Sequence, residues 1–169
     1  MTLVELTFVS VVLVIVMAGL SNMFVSGLRA SSTGDAQLAS QGAVRTAFDR
    51  LEYEARCSDS ASILSSGAGV HLNLPAQCTN ATGDVSWCVT GTSLVRAAAA
   101  DCSGTTTTFV SDVTSATPFC LQTVTGALPQ LFVTLTVNSS GEATDATSAT
   151  DEITLRNASA AASTSAACS

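Results

Sequence analysis

The chain has 169 residues, enough for one domain of ordinary size. It is 47% hydrophobic and only 11% charged, with mean hydropathy +0.43, where an average soluble domain carries about 25% charged residues. Net charge is −7, lysine is absent and the six arginines are scattered, so no basic stripe exists for a phosphate backbone and nucleic acid is not an expected partner.

The first element is apolar. From Leu6 to Leu28 no residue is charged, a run of 23 positions. As a helix that length crosses the roughly 30 Å hydrocarbon layer of a bilayer. Its centre, Val11 to Met17, is rich in β-branched residues, but in lipid the backbone must satisfy its own hydrogen bonds and helix wins. Arg29 marks the far end. No basic residue precedes the apolar run and no small-x-small cleavage site follows it directly, unlike a secretory signal peptide. The expectation is a mature N-terminus whose basic leader has been removed.

Ahead of the run stands one acid, Glu5. An ionised carboxylate in an apolar phase costs several kcal/mol if unpaired. The first turn of a helix offsets part of that cost through its free N–H groups and dipole. The cation available at the same depth is the amine of Met1, on the same chain or on a neighbour. A neighbour's amine sets an axial register, because a misplaced chain buries two unpaired charges. The alternative is a solvated Glu5 at the membrane surface of an ordinary anchor.

The second element, to about residue 56, is amphipathic. Val44, Phe48, Leu51 and Ala55 are spaced 4, 3 and 4 residues apart, with Leu38 ahead of them. Arg45, Asp49, Arg50, Glu52, Glu54 and Arg56 are read as the opposite, polar face. No proline occurs before Pro75, so one helix over residues 2 to about 56 is expected, on the order of 80 Å long. Gly19, Gly27, Gly34 and Gly42 are its weak points, each costing about 1 kcal/mol against alanine.

After Cys57 the period changes to short β-type runs between turn residues. Strands are expected at Val70–Leu74, at a hairpin of Val85–Val89 with Ser93–Arg96, at Phe109–Val113, Phe119–Val124 and Leu131–Val137, and at Glu152–Arg156 after a loop from Asn138 to Asp151. Leu38, Val44, Phe48, Leu51, Trp87, Leu131, Val133 and Leu135 are the core candidates. The expected fold is α+β, a long N-terminal helix on a small antiparallel sheet. Residues 1–28 form the apolar half of the helix, 29–56 its amphipathic half, and 57–169 a β-rich head with a C-terminal tail.

Six cysteines, at 57, 78, 88, 102, 120 and 168, form no Cys-x-x-Cys pair, and His71 is the single histidine. Zinc needs tightly spaced Cys and His ligands, so no metal and no cofactor is expected. An even, well-spread set suits disulfides in an oxidising compartment. Many connectivities are open; the expected set is Cys57–Cys78, Cys88–Cys102 and Cys120–Cys168, the last tying down the tail.

Asn80, Asn138 and Asn157 each begin an N-glycosylation triplet, a pattern common by chance in a Ser/Thr-rich chain. Asp145, Asp151 and Glu152 fit no calcium-loop spacing and are read as a solvated loop. His71 is read as a polar-face strand residue. Ser, His and Asp occur without a nucleophile elbow, so an enzyme is not expected.

Met1-Thr-Leu-Val-Glu5-Leu6, followed by an apolar helix, resembles the mature start of type IV pilins and type II secretion pseudopilins. The resemblance is specific over residues 1 to about 30 and architectural beyond. It implies a pilin-like fold, removal of a leader and methylation of the new amine by a prepilin peptidase, and storage in the cytoplasmic membrane. It further implies self-association into a helical filament at a prokaryotic cell surface, with the pilus assembly machinery as partner. Glu5 and Met1 are then the docking pair, and Leu3, Leu6, Phe8, Val12, Ile15 and Leu20 belong to the filament core. Many family members carry a proline in the first helix where it bends or unwinds; here Gly19 or Ser21-Asn22 takes that place. A main filament subunit is the expectation. Minor pilin, pseudopilin and a non-polymerising, membrane-anchored binding module are the alternatives.

Overall fold

The computed structural model describes residues 3–78, 83–124, 127–139 and 146–158, with Leu3 and Glu5 as backbone only. One helix, α1, runs from Leu3 to Cys57 and passes unbroken through Gly19, Asn22, Gly27 and Gly34. The chain divides into two compact units, Met1–Leu38 and Ala39–Ser169.

In the second unit, the head, α1 packs on antiparallel sheet. Val44, Ala47, Leu51 and Ala55 are buried, and Phe48 is partly buried against them. Leu38 is a correction: it is 68% exposed and belongs to the first unit, outside the core.

The strands form two sheets rather than the single sheet expected. The first runs in simple order through β1 (Ser60–Leu64), β2 (Gly69–Leu74), β3 (Gly83–Thr90), β4 (Ser93–Ala97) and β5 (Thr106–Val110). The second holds β6 (Phe119–Gln122), β7 (Gln130–Val137) and β8 (Thr147–Thr154). All pairings are antiparallel. Main-chain bonds from Thr114 N–H to Thr136 O and from Asn138 N–H to Asp112 O join the segment after β5 to β7.

Alternation drives the sheets. In β2, Val70, Leu72 and Leu74 are buried while Asn73 faces out; in β7, Leu131, Val133, Leu135 and Val137 are buried. The β3–β4 hairpin turns on Gly91, whose φ of +62° suits a residue without a Cβ. Trp87 is fully buried and tilts against Phe109, ring centres 4.7 Å apart.

Three strands differ most from expectation, and β6 ends at Gln122, two residues short of the expected Val124. β1 was unexpected, because Ser-Ala-Ser-Ile-Leu is a short run rich in small residues and becomes strand by pairing with β2. β5 ends at Val110, since Asp112 adopts a φ of +59° that ends the extended run. β8 starts at Thr147, inside the expected loop, and ends at Thr154; its polar outer positions hide it, and pairing with β7 from Val137 to Gln130 makes it strand. Residues 140–145 of that loop lie outside the described residues.

The turn after β1 places Gly67 at φ +108°, where an added Cβ would sit 3.0 Å from Phe119 O and 3.1 Å from Thr117 Cβ. Gly67→Ala is therefore expected to destabilise the head by about 2–3 kcal/mol. Gly42→Ala, with nothing within 4 Å of its new methyl, is expected to stabilise by up to ~1 kcal/mol. Thermal unfolding of the two variants checks the contrast.

Candidate functional site

In the first unit Glu5 lies in the first described turn of α1, and the first turn of a helix is where backbone N–H groups go without a partner in the helix. Met1 lies outside the described residues, so the geometry of the Met1–Glu5 pair does, too. Leu6, Phe8, Val12, Ile15 and Leu20 are in α1 and between 44% and 72% exposed. Val9, Val11, Leu13, Val14, Val16 and Met17 are exposed as well. The apolar surface goes all the way round the helix, and the segment is long and apolar enough to cross a membrane.

Three hydroxyls in this segment bond to their own helix. Thr7 donates to Val4 O at 2.9 Å, Ser10 to Thr7 O at 2.8 Å and Ser21 to Met17 O at 2.9 Å. These three hydroxyls are satisfied locally, so they do not need water on entering an apolar phase.

In the head a second carboxylate stands out. Glu54, read above as polar-face, is fully buried. Its Oε1 accepts from Arg50 Nε at 2.7 Å and from Arg96 Nε at 2.9 Å, and its Oε2 accepts from Trp87 Nε1 at 2.9 Å. Arg96 lies opposite Trp87 in the β3–β4 ladder, so both reach the helix from one face of the sheet. The sequence signal was there: Glu54 follows Leu51 by three residues and Ala47 by seven, on the buried stripe. Neighbouring Glu52 is only half-buried and pairs with Arg56.

The disulfides Cys57–Cys78 and Cys88–Cys102 form as expected, with Cα separations of 5.9 and 6.1 Å. The first ties the end of α1 to the loop after β2; the second ties β3 to the loop before β5. The Cys120–Cys168 pairing involves a residue outside the described ones.

On the outer face of the first sheet, His71 Nε2 lies 2.9 Å from Asp84 Oδ1, and His71 Nδ1 lies 3.4 Å from Ser62 Oγ. Asn73 donates to the same Asp84 oxygen at 3.2 Å. Sequence reading did not bring these residues together, because their proximity depends on the β1–β2–β3 register. Hydrogen bonds from His71 and Asn73 hold the Asp84 carboxyl below its ordinary pKa. A depressed carboxylate stabilises the fold above its unfolded pKa, 3.8, and loses that contribution as pH falls through the lower folded value. Asp84→Asn is expected to flatten the dependence of the urea midpoint on pH below about 4; an unchanged slope would remove Asp84 as a source of acid sensitivity.

Of the glycosylation candidates, Asn157 is exposed, with Nδ2 donating to Cys57 O at 3.3 Å. Asn138 is half-buried, and Asn80 lies outside the described residues. Asp151 and Glu152 stand on β8, while Asp145 is outside the described residues. Set against known protein families, curated proteins and solved structures, the chain matches none.

Proposed function

We propose that this chain is a structural subunit of a cell-surface filament of the type IV pilin class. One observation carries the reading: a charge-free helical segment exposed on every side, immediately after a lone acid in Met1-Thr-Leu-Val-Glu5-Leu6. Each large aliphatic side chain left in water forgoes about 1.5–3 kcal/mol, so the segment requires a cover. Lipid supplies it before assembly and sister helices supply it afterwards. Lipid tails and helix side chains are alike in apolarity, so transfer between them costs little and leaves charge pairing to choose the register. Glu5 meets the amine of a neighbouring subunit in that role.

The disulfide-stapled, weakly charged head suits exposure outside the cell. Electron microscopy of sheared cell-surface material, with mass spectrometry of the subunit, tests the reading. Filaments containing a chain that begins at a methylated Met1 are expected. Monomers retained in membrane, with no filament, would overturn it in favour of an anchored binding module. Abundance within the filament distinguishes a main subunit from a minor pilin or pseudopilin.

A further inference from the structure

The two described disulfides differ in what surrounds their sulfurs. Cys88 and Cys102 both line a surface space of about 250 Å³, together with Gly69, Thr90 and Asp101. At Gly69 an added Cβ would stand 3.2 Å from Cys88 Sγ and 3.3 Å from Cys102 Sγ. The missing side chain there keeps β2 from covering either sulfur. By contrast, Cys57 lines a neighbouring space that Cys78 does not reach, and Cys78 is 7% exposed.

The partners within Cys88–Cys102 are unequal. Cys88 sits on β3 and is 2% exposed. Cys102 is half-buried in the connection between β4 and β5, with a φ of +65°. That left-handed backbone is unfavourable for a residue with a Cβ and persists only where its surroundings hold it. Two ties hold it here, the disulfide and a bond from Cys102 N–H to Ser86 Oγ at 3.0 Å. Neither Cys57 nor Cys78 has a positive φ.

Asp101 is, among the described residues, the one charged side chain that lines the space. Bonds from the side chain and the main-chain N–H of Ser103 hold its carboxyl below the ordinary range, so it is ionised at neutral pH.

We propose that Cys88–Cys102 is a thiol–disulfide exchange site for a small uncharged or cationic thiol. The incoming thiolate attacks Cys102 Sγ, the sulfur with more access to solvent. The S–S bond breaks, and Cys88 leaves as a thiolate and takes a proton from water. Cys102 then carries the incoming thiol as a mixed disulfide. A second thiolate attacks the outer sulfur of that adduct and releases Cys102, which is protonated in turn. The protein disulfide gains two electrons, and the two small thiols lose them as their own disulfide. Opening removes one of the two ties on Cys102 and uncouples residues 98–105 from β3. The proposal stands whether or not the chain polymerises.

The full chain in its native membrane is treated with cysteamine, 2-mercaptoethanol or 2-mercaptoethanesulfonate at one fixed pH and low salt. Samples are quenched with acid, alkylated and mapped by mass spectrometry. Cys88–Cys102 is expected to open about tenfold faster than Cys57–Cys78, with the first adduct on Cys102. Taking the ratio of the two disulfides within one molecule cancels the different reactivities of the three thiols. That ratio is expected to be about threefold higher for cationic cysteamine than for the anionic sulfonate, and Asp101→Asn is expected to erase the difference. Thr90→Trp, a change at an exposed position that fills the space, is expected to slow opening of Cys88–Cys102 about tenfold and leave Cys57–Cys78 unchanged. Equal opening of the two disulfides, a first adduct on Cys88, a charge order that survives Asp101→Asn, or no effect of Thr90→Trp would each overturn the proposal.

Discussion

Glu54→Ala is expected to destabilise the head by about 3–4 kcal/mol, which for a unit of this size lowers Tm by about 10 °C. The buried carboxylate accepts from the Arg50 and Arg96 guanidinium groups and from the Trp87 indole N–H. Without it the indole N–H, inside a fully buried side chain, has no acceptor, at a cost of about 1–3 kcal/mol. Arg96, with a side chain only 21% exposed, keeps a charge that it can hydrate only in part. Arg50 is 45% exposed and recovers more of its hydration, which holds the total near the lower end for a broken buried pair.

Glu54→Gln keeps an acceptor for Trp87 and is expected to cost about 2 kcal/mol. Glu52→Ala removes the solvent-accessible pair with Arg56 and is expected to change stability by less than ~1 kcal/mol. Urea unfolding of the three variants decides. Equal effects at positions 52 and 54 would mean that burial of Glu54 does not matter to the fold.

Glu5→Ala is expected to leave membrane insertion intact and to lower filament yield by about tenfold or more. Alanine makes the segment more apolar, so insertion does not suffer. What is lost is the difference between correct and incorrect register. With Glu5, a misaligned neighbour leaves a carboxylate and an amine unpaired in an apolar environment, a penalty of several kcal/mol. With alanine the amine is unpaired in every register, and the correct one has no advantage. Glu5→Gln keeps the size and loses the charge, and the same defect is expected. Membrane fractionation and electron microscopy of sheared material give the two readouts. Filaments at the unaltered chain's yield from either variant would remove the docking role.

Much of the helix was legible because its signals are local. The absence of charge from Leu6 to Leu28 and the recurrence of Val44, Leu51 and Ala55 each report on one element, and α1 spans Leu3–Cys57 against an expectation of residues 2 to about 56. Strands with strict alternation, β2 and β7, were legible for the same reason. Leu38 misled, because an apolar residue in an amphipathic stretch is buried only where a partner surface faces it. Glu54 misled the other way: a charge on a helix reads as solvated until a sheet brings Trp87 and Arg96 to it.

The sequence alone determined the helix, its apolar and amphipathic halves, the lone carboxylate at its start and the alternating strands. Each follows from spacing along the chain, where 3.6- and 2-residue periods express backbone geometry directly. Only the tertiary structure decided that the strands divide into two sheets, that Ser-Ala-Ser-Ile-Leu pairs as β1 and that Glu54 is enclosed. These are relations between residues distant in sequence. They are set by which apolar faces bury one another and by which buried charges then find partners, and no local period records them.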